Sequence, residues 1–337
     1  MNINELRPVS AMAPVVSTKL ELPDKMGAVK VRLGIGRDHY AVTPGLYKIG
    51  KPDSQSDVLV SANYKLSFDV LRKNLTSLNV WLLVIDTKGV NVWCSAGKGT
   101  FGTGNLVNSI KAVSLASIVK HRRIIVPQLA ASGVAAYPVK EQTGFHVTFG
   151  PVRALDIKRF IEAGYQASPA MRTVTFPMKE RAKLIPVDFN ANLPRLLIVV
   201  ASYFFLSGLD KTGFLFANIL RTSTFPIVNA LGAYFAGIVV APLFLPWMPF
   251  RAFALKGACW GAIMTILMNY LFHAPVFESI AIGFVNLSIA SFLTMNFTGS
   301  STYTSLSGVK KEMKWAIPFQ VTALIIGAIL FILSKLI

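Results

Sequence analysis

From residue 193 to the C-terminus the chain carries too few charges to behave as an ordinary water-soluble domain. Those 145 residues hold nine Lys or Arg and three Asp or Glu, and most of them fall between long apolar runs. Five runs stand out: 193–209, 225–248, 252–272, 276–297 and 315–333. A bilayer core takes about 20 apolar residues per helix, so the first run is short and the others fit. Runs this long leave no polar face, which argues against buried helices of a large soluble protein. Pro242 and Pro246 are expected to kink or end the second run. Ser300–Ser307 reads as a polar loop.

Residues 1–192 differ. They hold 25 Lys or Arg against 13 Asp or Glu, which is +12 of the total +18. The expected architecture is therefore a soluble domain followed by an all-α transmembrane domain of five helices. Orientation follows from the basic loops. Lys179, Arg181, Lys183 and Arg195 precede or open the first run. Arg251 and Lys256 lie between the second and third, and Lys310, Lys311 and Lys314 between the fourth and fifth. The alternate loops hold only Lys211 and Arg221. The positive-inside rule then puts the soluble domain in the cytoplasm and the C-terminus outside the inner membrane. Residues 1–25 contain no apolar core of the signal-peptide kind.

The soluble part reads as α/β. Short apolar, β-rich runs at 58–60, 80–86, 123–127 and 146–149 alternate with amphipathic stretches at 68–78 and 106–120. Such alternation predicts a Rossmann-like, mainly parallel sheet, with ligands bound beyond the carboxyl ends of its strands. The expected boundaries are an N-terminal arm at 1–27, the α/β domain at 28–168, a linker at 169–192 and the membrane domain at 193–337.

Several familiar sites are excluded. Gly97-Lys98-Gly99-Thr100-Phe101-Gly102 fits a dinucleotide fingerprint, but no acidic residue for a ribose occurs between Asp86 and Glu141. The phosphate-loop pattern fails at Val92 and Gly99. The basic residues lack the aromatic interleaving of a ribonucleoprotein module, so no nucleic-acid partner is expected. Arg122 and Arg123 read as a solvated strand start. Two cysteines make neither a disulfide framework nor, alone, a four-thiolate cluster.

One of those cysteines is the sharpest clue. In Asn91-Val92-Trp93-Cys94-Ser95-Ala96-Gly97-Lys98, Asn91 is a good helix N-cap and would put Cys94 in the first helical turn. Free backbone N–H groups there carry partial positive charge, which suits an anionic sulfur donor. The small residues 95–97 leave room for a flat, bulky group. A nucleophile and an axial metal ligand both remain open on this pattern, and a structural buried cysteine is the commonest fate of an arbitrary one. Cys259, inside the third apolar run, reads as a small apolar packer.

Residues 91–98 closely resemble the signature of the mercury-methylating corrinoid protein family (HgcA), Asn-(Val/Ile)-Trp-Cys-Ala-(Ala/Gly)-Gly-Lys. The likeness extends to Pro44–Tyr47, Ala62–Asp69, Gly99–Thr103, Pro127–Leu129 and Gly150–Arg153, and to the layout of a cytoplasmic domain before five spans. The soluble part alone is also similar to the corrinoid domain of the corrinoid iron–sulfur protein, which lacks the spans. Ser95 departs from the usual Ala by one hydroxyl, expected to be tolerated.

The resemblance implies a cobalt corrinoid (cobalamin-like) with Cys94 as its lower axial ligand, and methyl transfer from cobalt to inorganic Hg(II). It also implies a two-cluster iron–sulfur ferredoxin as reductant in trans and a separate methyltransferase as methyl donor. Asn91 would cap and orient the motif, and Val92 belongs to the same stretch. Trp93 would pack on the macrocycle or the domain core. Ser95, Ala96 and Gly97 would give clearance, and Lys98 would reach a corrinoid side chain or solvent. Ser61, Asn63, Tyr64, Gly150 and Val152 follow strands and are further candidate contacts.

Two competing classes remain. A membrane transporter with a regulatory cytoplasmic domain would place ionisable groups or broken helices at the midplane, where this chain offers chiefly Glu278 near a run's start. A thiol redox enzyme would need a resolving cysteine, and Cys259 sits in an apolar run.

Overall fold

The computed structural model describes residues 13–297 and 306–337. The loop expected at Ser300–Ser307 falls almost wholly outside them, as does most of the first half of the expected arm. The chain divides into two compact units, residues 1–31 with 35–174, and 32–34 with 175–337.

The first unit is built on a five-stranded sheet. In chain order its elements are α1 (Leu22–Arg32), β1 (Gly45–Ile49), β2 (Val58–Ala62), α2 (Lys65–Lys73), β3 (Val80–Ile85), α3 (Val92–Lys98), α4 (Thr103–Ala112), β4 (Arg123–Val126), α5 (Ala136–Thr143), β5 (His146–Phe149) and α6 (Ile157–Glu162). The strand order is β1-β3-β2-β4-β5. β3, β2, β4 and β5 run parallel, and β1 closes one edge antiparallel to β3. The sheet is mainly parallel, as expected, with β1 as its one antiparallel edge strand. Val58, Val60, Leu83, Ile85, Ile124 and Val126 face one core with Leu106, Ile110 and Val139 of the helices. Leu59, Leu82, Val84 and Ile125 face the other, with Phe68 and Phe160. This is the period-2 alternation of a sheet covered on both faces.

Four expectations need adjustment. The helix expected across 106–120 breaks at Ser114, which adopts a left-handed conformation (φ 49°). The arm expected to residue 27 contains a pairing of Val15 with Lys48 and the start of α1. The linker expected at 169–192 holds two short helical segments, Pro169–Arg172 and Met178–Ala182, and the first turns of a long helix. Arg123 is not simply solvated. Its guanidinium lies 3.4 Å from the Tyr165 ring centre and pairs with Asp57 at 3.2 Å.

An ion-pair network straps α1 to α2. Asp24 accepts from Lys65 Nζ and from Arg72 Nη2, both at 2.7 Å, and Asp69 completes the group at 2.7 and 2.8 Å. Arg72 Nη1 also donates to the Ser17 carbonyl. Burial alone would raise the Asp24 carboxyl. The hydrogen bonds from Lys65 and Arg72 outweigh it and hold the group well below the ordinary carboxylate range. A carboxyl depressed in the folded state stabilises fully above its unfolded value, near pH 4, and this is lost as pH falls toward the folded value. The segment 17–24 should therefore stay protected at pH 7 and begin to release below about pH 4. Backbone hydrogen exchange at the two pH values reads this directly. Asp24→Asn should remove the pH dependence and cost about 2 kcal/mol at pH 7.

Among its described residues the second unit contains five helical segments long and apolar enough to cross a membrane: Met178–Leu206, Thr224–Trp247, Phe253–Phe272, Val276–Asn296 and Ser307–Leu336. Within them lie α7 (Ile185–Leu206), α8 (Thr224–Phe235), α9 (Phe253–Phe272), α10 (Val276–Asn296) and α11 (Leu306–Leu336). α7 starts before the expected 193 and carries Pro194 inside it. After α8 the chain forms a π-helical stretch, Ala236–Val240, before Pro242 opens a new turn. The proline cannot donate to a preceding carbonyl, and the wider turn accommodates it. Gly257 and Gly261 let α9 lie against the backbone of α10 at Asn286 and Ala290. Asn286 Nδ2 donates to Asn229 Oδ1 at 3.0 Å and Thr265 Oγ1 at 2.9 Å, joining α8, α9 and α10. Gly257→Val would drive a side chain into the Ala290 carbonyl and Thr294. It should cost roughly 3 kcal/mol, seen as a lower thermal midpoint in detergent, with the N-terminal unit unaffected.

Candidate functional site at the Cys94 helix

The carboxyl ends of the parallel strands form one rim. β2 ends into Asn63 and Tyr64, β3 into 86–90, β4 into a short turn at Gln128–Ala130, and β5 into 150–153. The order reverses between β2 and β4, which is where open α/β sheets bind ligands. α3 leaves this rim directly after β3.

Asn91 caps α3: its Oδ1 accepts from the Cys94 N–H at 2.9 Å. The helix is only seven residues long and ends at Gly99 in a left-handed conformation (φ 81°). Gly102 then opens α4, and a Cβ there would stand 2.9 Å from the Gly99 carbonyl. The glycine pattern at 97–102 thus builds a tight helix-to-helix turn. At 3.6 residues per turn the motif separates into two faces. Val92, Ser95 and Ala96 turn inward, with Ser95 fully buried and Ala96 at 5% exposure. Trp93, Cys94, Gly97 and Lys98 keep exposed surface.

The inward residues correct the idea that 95–97 together clear space for a ligand. The Ser95 hydroxyl donates to the Asn91 carbonyl at 2.6 Å, with the Val92 carbonyl at 2.9 Å. The extra hydroxyl is absorbed by the backbone of its own helix. Gly133 packs against the Ala96 backbone: a Cβ on Gly133 would meet Ala96 Cα and its carbonyl at 3.1 Å and overlap the Phe101 carbonyl. Of the three, only Gly97 offers bare backbone outward.

Asn63 proves to be a brace. Its Oδ1 accepts from the backbone N–H groups of Thr87 at 3.1 Å and Gly89 at 3.0 Å, with Thr87 Oγ1 at 2.8 Å. Its Nδ2 donates to Asp86 Oδ1 at 3.1 Å, which also accepts from Lys88 N at 2.8 Å. Asn63 is 5% exposed and its polar atoms are spent on the loop feeding α3. Ser61 is buried within β2, and its hydroxyl donates to the Ala62 carbonyl at 3.2 Å. Tyr64 is 5% exposed and precedes α2. Gly150 is buried because a Cβ there would stand 2.9 Å from Ile125 Cγ2. Val152 is half-buried and donates its N–H to Met171. These five lie at or near the rim, yet Ser61, Asn63, Tyr64 and Gly150 present almost no free surface.

The turn after β4 was not among the expected site residues. It packs beside α3, and Gly133 accepts from Thr103 N at 3.1 Å. Pro127-Gln128, directly after a strand, was the available signal. Among the described residues no three His, Cys, Asp or Glu side chains gather into a metal site. Cys94 is a free, half-buried thiol.

Residues 26–161 match the family described as CO dehydrogenase/acetyl-CoA synthase delta subunit. The chain is also similar to gamma subunits of the acetyl-CoA decarbonylase/synthase complex. The one from Methanopyrus kandleri is 36% identical over 129 residues, 37% of this chain and 27% of that protein. The one from Methanocaldococcus jannaschii is 34% identical over 152 residues, 44% and 28% of the two chains. The one from Archaeoglobus fulgidus is 31% identical over 126 residues, 37% and 26%. The chain thus spans little more than a quarter of the relatives it matches. The family match includes α3 and stops before the five apolar helices.

Proposed function

We propose that the N-terminal unit holds a cobalt corrinoid over the outward face of α3, with Cys94 as its lower axial protein ligand, and that the protein transfers a methyl group to inorganic Hg(II). The observation that carries this reading is the capped seven-residue helix whose outward face holds half-buried Trp93 and Cys94 and exposed Gly97 and Lys98 at the sheet's carboxyl rim. The residues suit such a group. A corrinoid macrocycle fills the equatorial positions itself, so one protein donor suffices, and one thiol without companion ligands is what α3 offers. Gly97 gives a planar ring unobstructed access, and Trp93 and Lys98 flank it. When bound, the corrinoid would supply cobalt-based methyl transfer, and Cys94 would hold it through sulfur, a soft donor suited to such a metal.

The protein's own part is placement. Asn91 sets the start of α3, Asn63 holds the loop before it, and Gly133 with Ala96 fixes its inner face. Mercury enters through the resemblance of residues 91–98 to the mercury-methylating corrinoid family and through the five apolar helices. Hg(II) is itself soft and accepts a methyl group readily. The proposed partners are a two-cluster ferredoxin, a methyl-donating methyltransferase and the lipid bilayer. The proposed placement is the inner membrane, with the N-terminal unit cytoplasmic and the C-terminus outside. The Asn229–Asn286–Thr265 bonds fit helix-to-helix adhesion and support anchoring over transport.

A second reading, service as a subunit of an acetyl-CoA-handling complex, is favoured by the names of the relatives. One experiment separates the two. Full-length protein is purified anaerobically, analysed for cobalt and visible absorption, methylated, and offered thiol-bound Hg(II) or an acetyl-CoA synthase metal centre. Methylmercury formation supports the first reading. Delivery only to the metal centre supports the second, and a colourless, cobalt-free protein that cannot be loaded sinks both.

A further inference from the structure

We propose that α1 is an amphipathic foot lying on the anionic surface of the membrane that the C-terminal helices cross; this rests on the reading that those helices span a bilayer. Leu22, Met26 and Val29 are 68%, 53% and 56% exposed. At 100° per residue they fall in one narrow stripe. Leu33, the next position in that register, is 38% exposed and Ile35 is 59% exposed. The helix cannot roll to bury this stripe, because its opposite face is already committed. Val31 is 1% exposed, Asp24 is tied to Lys65 and Arg72, and Gly27 lies against the Tyr40 ring.

Charge selects the occupant. Lys25 and Arg32 flank the stripe on one side and Lys30 on the other by helical position. Lys25 and Lys30 are exposed, and among the described residues neither has a carboxylate within ion-pair distance. An apolar stripe edged by basic residues is the pattern of a helix lying in the interface of an anionic bilayer, with lysine stems covering apolar surface and their heads at phosphate level. A protein-docking face would instead be depleted in lysine. Position agrees. Residues 32–34 belong to the C-terminal unit, where Asn190 Nδ2 donates to the Leu33 carbonyl at 2.6 Å. Asn190 lies three residues before the apolar run that begins at Leu193. The chain therefore leaves α1 for a segment bonded to α7.

The test uses full-length protein in nanodiscs of phosphatidylglycerol and phosphatidylethanolamine, with the photoreactive residue p-benzoylphenylalanine at Met26. Tyr137, 75% exposed, is the control position. Illumination should attach phospholipid at position 26 several-fold more than at 137. Lys25→Glu with Lys30→Glu should lower that yield several-fold in anionic discs, as should high salt. Insertion into discs without lipid attachment above the control overturns the proposal, as does attachment to a second copy of the chain. Failure to insert at all overturns the spanning reading, and this proposal with it.

Discussion

Cys94→Ala is expected to leave the N-terminal unit folded and to remove its chemistry. The side chain is half-buried on the outward face of α3, and the capping bond uses the Cys94 backbone N–H, which alanine keeps. A loss within about 0.5 kcal/mol should move the thermal midpoint by no more than about 3 °C. On the proposed reading, methyl transfer to Hg(II) should fall more than about 100-fold, because the variant lacks the sulfur proposed to hold the metal. The visible spectrum of corrinoid-loaded protein should change with it. An unchanged spectrum would place the axial ligand elsewhere, and unchanged transfer would end the mechanism.

Asn63→Ala is expected to have the largest structural effect of any single polar change at the rim. It leaves the Thr87 and Gly89 N–H groups without their acceptor, in a place where Thr87 is fully buried. Orphaned buried groups cost about 1–3 kcal/mol each, so a loss of roughly 3 kcal/mol is expected. The loop 86–90 feeds α3, so corrinoid retention should fall as well. Equilibrium urea unfolding reads the first effect and cobalt content per chain the second. Normal retention with reduced stability would assign Asn63 to folding alone.

The parts legible in sequence were those set by local pattern. The apolar runs marked β2 to β5, Asn91 marked the cap of α3, and the charge-poor runs marked the apolar helices. β1 was missed because Gly45–Ile49 is short and carries an outward lysine at an edge, where alternation is weakest. The break at Ser114 was missed because an amphipathic count continues straight through a single left-handed residue. The site was legible only in its first half. Cys94 stood out, but which of its neighbours face outward depends on what packs beneath them, and Gly133 is 37 residues away in the chain. Asn63 was marked as a ligand contact because it follows a strand. Its use as a brace depends on where the next strand's loop folds back, which no local pattern encodes.

A helix of two turns, clamped by Asn91 at its start, by the Asn63 loop behind it and by Gly133 against its inner face, is a poor spring. The height of the Cys94 sulfur above the sheet is thus a constant of the fold. Donor strength can be tuned across such a fold by what shields the thiol from water, and much less by travel of the residue itself. In proteins built on this frame the residues that clamp the helix should stay narrow in size.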